Sequence, residues 1–177
     1  MKPNHLQLMV ATIVFSLLFY SCKKEKTTPE PNAFKKEWVT GKWKQKDLVI
    51  SVDVKLGGTK IPAGTSMITL APMLGQALGN PAIAQAILCT KDNQYSFDAN
   101  GKFEITGCVD LILPEAGNKG NWDLQIYNTV LELTSASNAK DPHWINSITK
   151  DNMELALTVA FPGVGNAPLG LKLEKLP

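Results

Sequence analysis

From residue 94 to residue 174, apolar and polar side chains alternate in short segments separated by turn-forming residues. A period of two gives each segment one apolar and one polar face, the signature of a half-buried strand. Gln94 to Asp98 and Lys102 to Cys108 flank Ala99-Asn100-Gly101, where Asn-Gly tolerates the positive φ of a tight hairpin. Trp122, Leu124 and Ile126 alternate with Asp123 and Gln125, and a turn near Tyr127-Asn128 leads to Leu131 and Leu133. Asp141-Pro142-His143-Trp144 reads as a turn entering a strand over 144–149, and Lys150-Asp151-Asn152 turns into Met153, Leu155, Leu157 and Val159. After a loop over 162–166 come Leu169, Leu171 and Leu173. Upstream, Trp43 to Val54 places Leu48, Ile50, Val52 and Val54 on one face, and Gly57-Gly58 ends it. Eight strands with mostly short connections pair antiparallel, and closure removes exposed edges. The expected fold is mainly β, an eight-stranded antiparallel up-and-down barrel, with an open sandwich as the competing architecture. Eight strands enclose an interior either filled by side chains or able to hold one small ligand.

One segment breaks the pattern. Residues 61–90 carry no charge, and their centre, 70–88, is rich in Ala, Leu, Met and Gln. Asn80 fits a helix N-cap with Pro81 at the first helical position. Two short helices are expected, near 71–78 and 81–88, broken at Gly79-Asn80. This insert reads either as a helical pair packed on the core to close one end of the fold, or as an apolar lid over a cavity or a membrane-contacting element, and it is where a protein partner is expected if there is one.

The amino terminus is of another kind. Lys2 precedes an uncharged apolar run from Leu8 to Tyr20. Such a run covers only about 20 Å as a helix, short of a ~30 Å hydrocarbon core, so residues 1–21 read as a signal peptide. Leu18-Phe19-Tyr20-Ser21-Cys22 resembles a bacterial lipobox, which makes Cys22 the expected site of acylation by palmitate-type chains. Residues 22–35 then form an acylated cysteine and a polar, proline-bearing tether. Residues 23–46 hold eight Lys and three Glu, against nine Lys and 13 acids in 47–177. With Cys22 acylated, Cys89 and Cys108 remain as an even pair in an exported chain, and a disulfide is expected.

Composition excludes several functions. The chain has no Arg and a net charge of +2, so it lacks both the bidentate fork and the basic stripe of a nucleic-acid binder. Once residues 1–21 are removed, His143 is the only imidazole, too few for a His-rich metal site. No nucleophile elbow, P-loop or dinucleotide turn occurs, so no enzymatic activity, metal or cofactor is expected.

Several of these residues together resemble a known family. Gly41-Lys42-Trp43 matches the Gly-x-Trp signature of lipocalins, in which the Trp closes the base of the barrel. Cys89 to Asp98, then Asn100-Gly101-Lys102-Phe103, and Asn121-Trp122-Asp123-Leu124 before Leu131-Glu132-Leu133, are similar to the lipocalin-like domains of Bacteroidetes lipoproteins, as is Ser21-Cys22-Lys23-Lys24. The resemblance covers 36–177 and implies a lipocalin-like barrel with Gly41 and Trp43 at its base. Lipocalins commonly pack an Arg on that Trp; here Lys172 or Lys175 is expected to stand in. The implied function is a membrane-anchored lipoprotein, most simply of the outer membrane, binding a small hydrophobic ligand in the barrel. The alternative is a protein-interaction or inhibitor module with a filled barrel.

Overall fold

The structure is a computed structural model that describes residues 34–56, 58–161 and 165–177. The expected signal peptide 1–21, the expected lipidation site Cys22 and the expected tether through residue 33 lie outside the described residues. The chain enters through a one-turn helix, α1 (Lys36–Val39). The strand β1 (Gly41–Ile50) follows, then a hairpin of β2 (Val54–Leu56) and β3 (Thr59–Ile61). Two helices come next, α2 (Met67–Ala77) and α3 (Pro81–Cys89). The remaining strands are β4 (Gln94–Phe97), β5 (Lys102–Thr106), β6 (Lys119–Gln125), β7 (Val130–Ser135), β8 (Lys140–Ile148), β9 (Asn152–Phe161) and β10 (Gly165–Lys175).

Eight of these strands close into one antiparallel barrel in the order β1-β10-β9-β8-β7-β6-β5-β4, with β4 returning to β1. This is the architecture expected from the alternation, and the helical insert follows the first strand. The inward residues are the apolar members of each alternating pair. Trp43 and Leu48 on β1, Tyr95 and Phe97 on β4, Leu131 and Leu133 on β7, Met153 and Leu155 on β9, and Leu169 and Leu171 on β10 are all buried. They form one continuous core with Met67, Ala71, Ile83 and Ile87 of the helices. Burying each large apolar side chain contributes about 1.5–3 kcal/mol, so the filled axis carries most of the stability.

The structure corrects three boundaries. β1 stops at Ile50 rather than Val54. The ladder with β10 ends at Ile50 opposite Leu169, and a last bond runs from Ser51 N–H to Pro168 O at 3.0 Å. Pro168 has no N–H to return, so pairing cannot continue. Val52 is therefore exposed, and Val54 pairs with Ile61 in a separate two-stranded sheet. Asp141-Pro142-His143 is not a turn but the first half of β8, with Pro142 opposite Glu132 and His143 opposite Leu131. Ile145 N–H bonds Thr129 O on the β7 side. Alternation along the strand turns the missing N–H of Pro142 toward β9, where the β8 register covers only Ile145 to Ile148. Proline is tolerated there because no ladder bond is lost. Finally, α2 begins at Met67, earlier than expected, because the Ser66 hydroxyl accepts from Thr69 N–H at 3.3 Å. That hydroxyl also donates to Asp47 Oδ1 at 2.7 Å, tying the helix start to β1.

Candidate binding site

The two ends of the barrel are closed differently, and the difference defines the site. At the base, Trp43 is fully buried and its indole N–H donates to Val39 O at 2.8 Å, holding α1 across the opening. Lys175 lies over the Trp43 ring with Nζ 4.9 Å from its centroid, and donates to Trp38 O at 3.2 Å. Of Lys172 and Lys175, Lys175 is the one that covers the Trp43 ring. Gly41 has φ +134, and a Cβ there would come within 2.6 Å of Lys175 Cε. The Gly-x-Trp spacing thus has a local reason: the glycine clears a path for the cation that covers the indole.

The opposite end is covered by the insert. Asn80 caps α3 through a bond from Ala82 N–H to its Oδ1 at 3.1 Å, as the sequence predicts. Cys89 and Cys108 lie at disulfide distance, with Cα atoms 5.8 Å apart, and link the end of α3 to the segment joining β5 and β6. Asn93 braces the same junction. Its Nδ2 donates to Cys108 O at 2.9 Å and its Oδ1 accepts from Cys108 N–H at 2.7 Å. Beneath it, buried Gln45 donates to Thr90 Oγ1 at 3.0 Å and accepts from Tyr95 Oη at 3.1 Å. Burial pushes the Tyr95 phenol above its ordinary range, with the Asn93 side chain offsetting part of that rise. The β2–β3 hairpin is pinned by Asp53, which accepts from Lys60 at 2.6 Å and from Ala63 N–H at 2.9 Å. The Lys60 contact, then the Ala63 N–H, hold its carboxyl below the usual range.

Between this lid and the barrel rim is an apolar pocket of about 230 Å³. Ile61, Met67, Leu74 and Leu78 come from the insert, and Ile50, Phe161, Ala167 and Leu169 from the barrel. Lys55 and Asn166 are the polar side chains among its lining residues. The sequence reading assigned no ligand-binding residue. The signal that pointed here was the uncharged run itself, whose apolar members have to cover something. Met73 is the one large apolar side chain of the insert that stands exposed among the described residues.

His143 faces the barrel interior beside Asp141, with Nε2 and Oδ1 3.1 Å apart. Ser51 lines the same cleft, yet it makes no hydrogen bond to His143 among the described residues. The arrangement is therefore not a nucleophile, base and orienting acid in sequence. No group of three or more His, Cys, Asp or Glu that could hold a metal ion occurs among the described residues. No helix among them is long and apolar enough to cross a membrane. The chain matches no protein-family model and no curated protein sequence.

Proposed function

We propose that the protein is a lipid-anchored, lipocalin-like binding protein of the cell envelope that takes up a small apolar molecule beneath its helical lid. The observation that carries this reading is the apolar pocket between the insert and the barrel rim. The barrel axis is occupied by Trp43, Leu131, Leu155 and Leu171, so the ligand sits at the mouth rather than along the axis. Its volume of about 230 Å³ exceeds the ~150 Å³ at which an apolar cavity stays dry and takes up benzene. It falls short of the ~300–1,000 Å³ of drug-sized sites. A single ring or a short acyl chain fits. Burying about 200 Å² of such a ligand contributes about 5 kcal/mol, an affinity near 10⁻⁴ M at roughly 25 cal/mol per Å². The lipid anchor rests on the lipobox-like run ending at Cys22.

Toluene titrated into the full protein and followed by ligand-observed NMR tests the site. Binding should saturate and be lost in Leu74→Trp and Ala167→Leu, each of which fills the pocket. Toluene binding that survives both substitutions would remove the assignment. A second reading, a protein-interaction module, draws on the filled axis. It expects a stable partner on the lid and no uptake of toluene.

A further inference from the structure

The base of the barrel ends in three hairpin turns, at 98–101, 126–129 and 149–151, beside α1. The first and third carry Asp98, Lys150 and Asp151. The second lies in a run without charge, Leu124 to Leu131. At its tip Ile126 is 57% and Tyr127 76% exposed. The backbone there is strained, with φ of 48, 54 and 62 at Ile126, Tyr127 and Asn128. Asn tolerates this left-handed conformation, whereas a β-branched Ile does not. Hairpin turns with positive φ favour Asn and Gly. Neither Ile126 nor Tyr127 recovers the cost by packing into the core, since both stand in solvent. The turn is closed instead by Thr129, whose N–H donates to Gln125 O at 3.1 Å and whose hydroxyl donates to Ile126 O at 2.6 Å. Strain that the fold does not use points to a task outside it.

The chain enters the barrel at the same end. Phe34 leads into α1, and Lys36 of α1 reaches Asp123, two residues short of the end of β6, at 3.3 Å. Phe34 stands twelve positions after Cys22, at most roughly 40 Å of chain. A lipid on Cys22 thus holds the base within that distance of the bilayer surface, with the lid at the far end. The charges around the tip are paired among themselves: Lys35 with Glu37 at 3.6 Å, Lys36 with Asp123 at 3.3 Å, and Lys150 with Asp151 at 3.8 Å. Such a surface has little pull on anionic headgroups, and what it offers a partner is the apolar tip. An aliphatic side chain beside a phenol, apolar in body and able to hydrogen-bond at one end, suits the boundary between headgroups and acyl chains.

We infer that the base seats on the bilayer surface through Ile126 and Tyr127, which enter the boundary between headgroups and acyl chains. The inference rests on the acylation of Cys22 proposed above, which supplies a local concentration that makes contact by two side chains sufficient. Seating the base turns the lid and its pocket away from the membrane, toward the aqueous phase.

From Cys22 onward the chain has two tyrosines, and Tyr95 is only 2% exposed, so Tyr127 is a native reporter of this face. The test couples the chain from Cys22 onward, through that thiol, to a maleimide lipid in phosphatidylcholine vesicles. Lactoperoxidase then iodinates the accessible tyrosines, and mass spectrometry maps them. Coupling fixes the anchor whether or not the cell acylates Cys22, so a failed seat is told apart from a failed anchor, which Cys22→Ala fractionation reads. Tyr127 should iodinate about tenfold more slowly than in the uncoupled chain, a seated population of roughly nine in ten, and high salt should not restore the rate. In Met73→Tyr, the ring added at the exposed lid position should iodinate at its uncoupled rate. Ile126→Asn should raise the urea midpoint, because Asn accepts the left-handed backbone, yet remove severalfold of the Tyr127 protection. Equal Tyr127 rates with and without the vesicle, equal slowing at the lid, recovery in high salt, or a lower urea midpoint in Ile126→Asn would each overturn the inference.

Discussion

Lys175 Nζ stands 4.9 Å from the centroid of the Trp43 ring, and the path of that lysine passes where a side chain on residue 41 would sit. The first and last barrel strands are thus locked at the base by a cation on an indole, with Trp43 opposite Lys175 in the β1–β10 register. Cation–π contacts contribute roughly 0.5–2 kcal/mol depending on desolvation. Gly41→Ala should destabilise the protein by about 1–3 kcal/mol, through both positive φ and the clash with Lys175. Lys175→Ala should cost about 1 kcal/mol. In the double variant the two losses should not add, because with Cδ, Cε and Nζ of Lys175 removed the Cβ at residue 41 has nothing there to displace. Urea denaturation of the four proteins reads the cycle. Full additivity would show that Gly41 and Lys175 act independently.

The link from α3 to the β5–β6 segment is expected to hold the lid. Cys89 and Cys108 are 19 residues apart, and a loop of that size stabilises by about 3 kcal/mol in the chain-entropy model. Reduction, or Cys89→Ser with Cys108→Ser, should lower the unfolding midpoint. It should also raise amide exchange in α2 and α3 more than in β9 and β10. Exchange that rises evenly over the whole barrel would mean the link serves global stability and not the lid.

Tyr95 predicts an alkaline limit to stability. Burial raises its folded pKa above the unfolded value of about 10. The folded state then holds the phenolic proton more tightly than the unfolded chain. The stabilisation is fully present below pH ~10 and is lost as pH climbs from there toward the folded pKa. Urea midpoints should stay flat in this respect up to pH ~10 and then fall, and Tyr95→Phe should remove that fall. A fall of the same size in Tyr95→Phe would contradict the burial account.

The anchor has a direct test. Cys22→Ala should move the protein from the membrane fraction to the soluble fraction of the envelope. A variant that still pelleted with membranes at high salt and alkaline pH would show that something other than acylation of Cys22 holds it there.

The barrel was legible in the sequence because burial on one face imposes a period of two on every wall strand. Met153, Leu155, Leu157 and Val159 of β9 carry that pattern without interruption, and all four are buried. The ends of strands were less legible. Val52 and Val54 continue the alternation of β1, yet the chain leaves the sheet at Ser51 because Pro168, over a hundred residues away, has no N–H to offer. Local periodicity cannot report a missing partner on a distant strand. His143 was misplaced for a related reason. Pro142 signals a turn locally, and only the gap in the β8–β9 ladder lets it sit within a strand. That same gap opens the cleft that Asp141 and His143 line. The lid pocket was half legible: the uncharged run showed that residues 61–90 must cover an apolar surface, but not that packing leaves about 230 Å³ open beneath them.

The most direct measurement is native mass spectrometry of the full protein extracted gently from its own membranes. The account predicts one small apolar adduct per chain, lost on denaturation and absent from Leu74→Trp. A bare acylated chain in every preparation, together with a stoichiometric protein partner released only by denaturation, would contradict a ligand beneath the lid and establish the barrel as an interaction module.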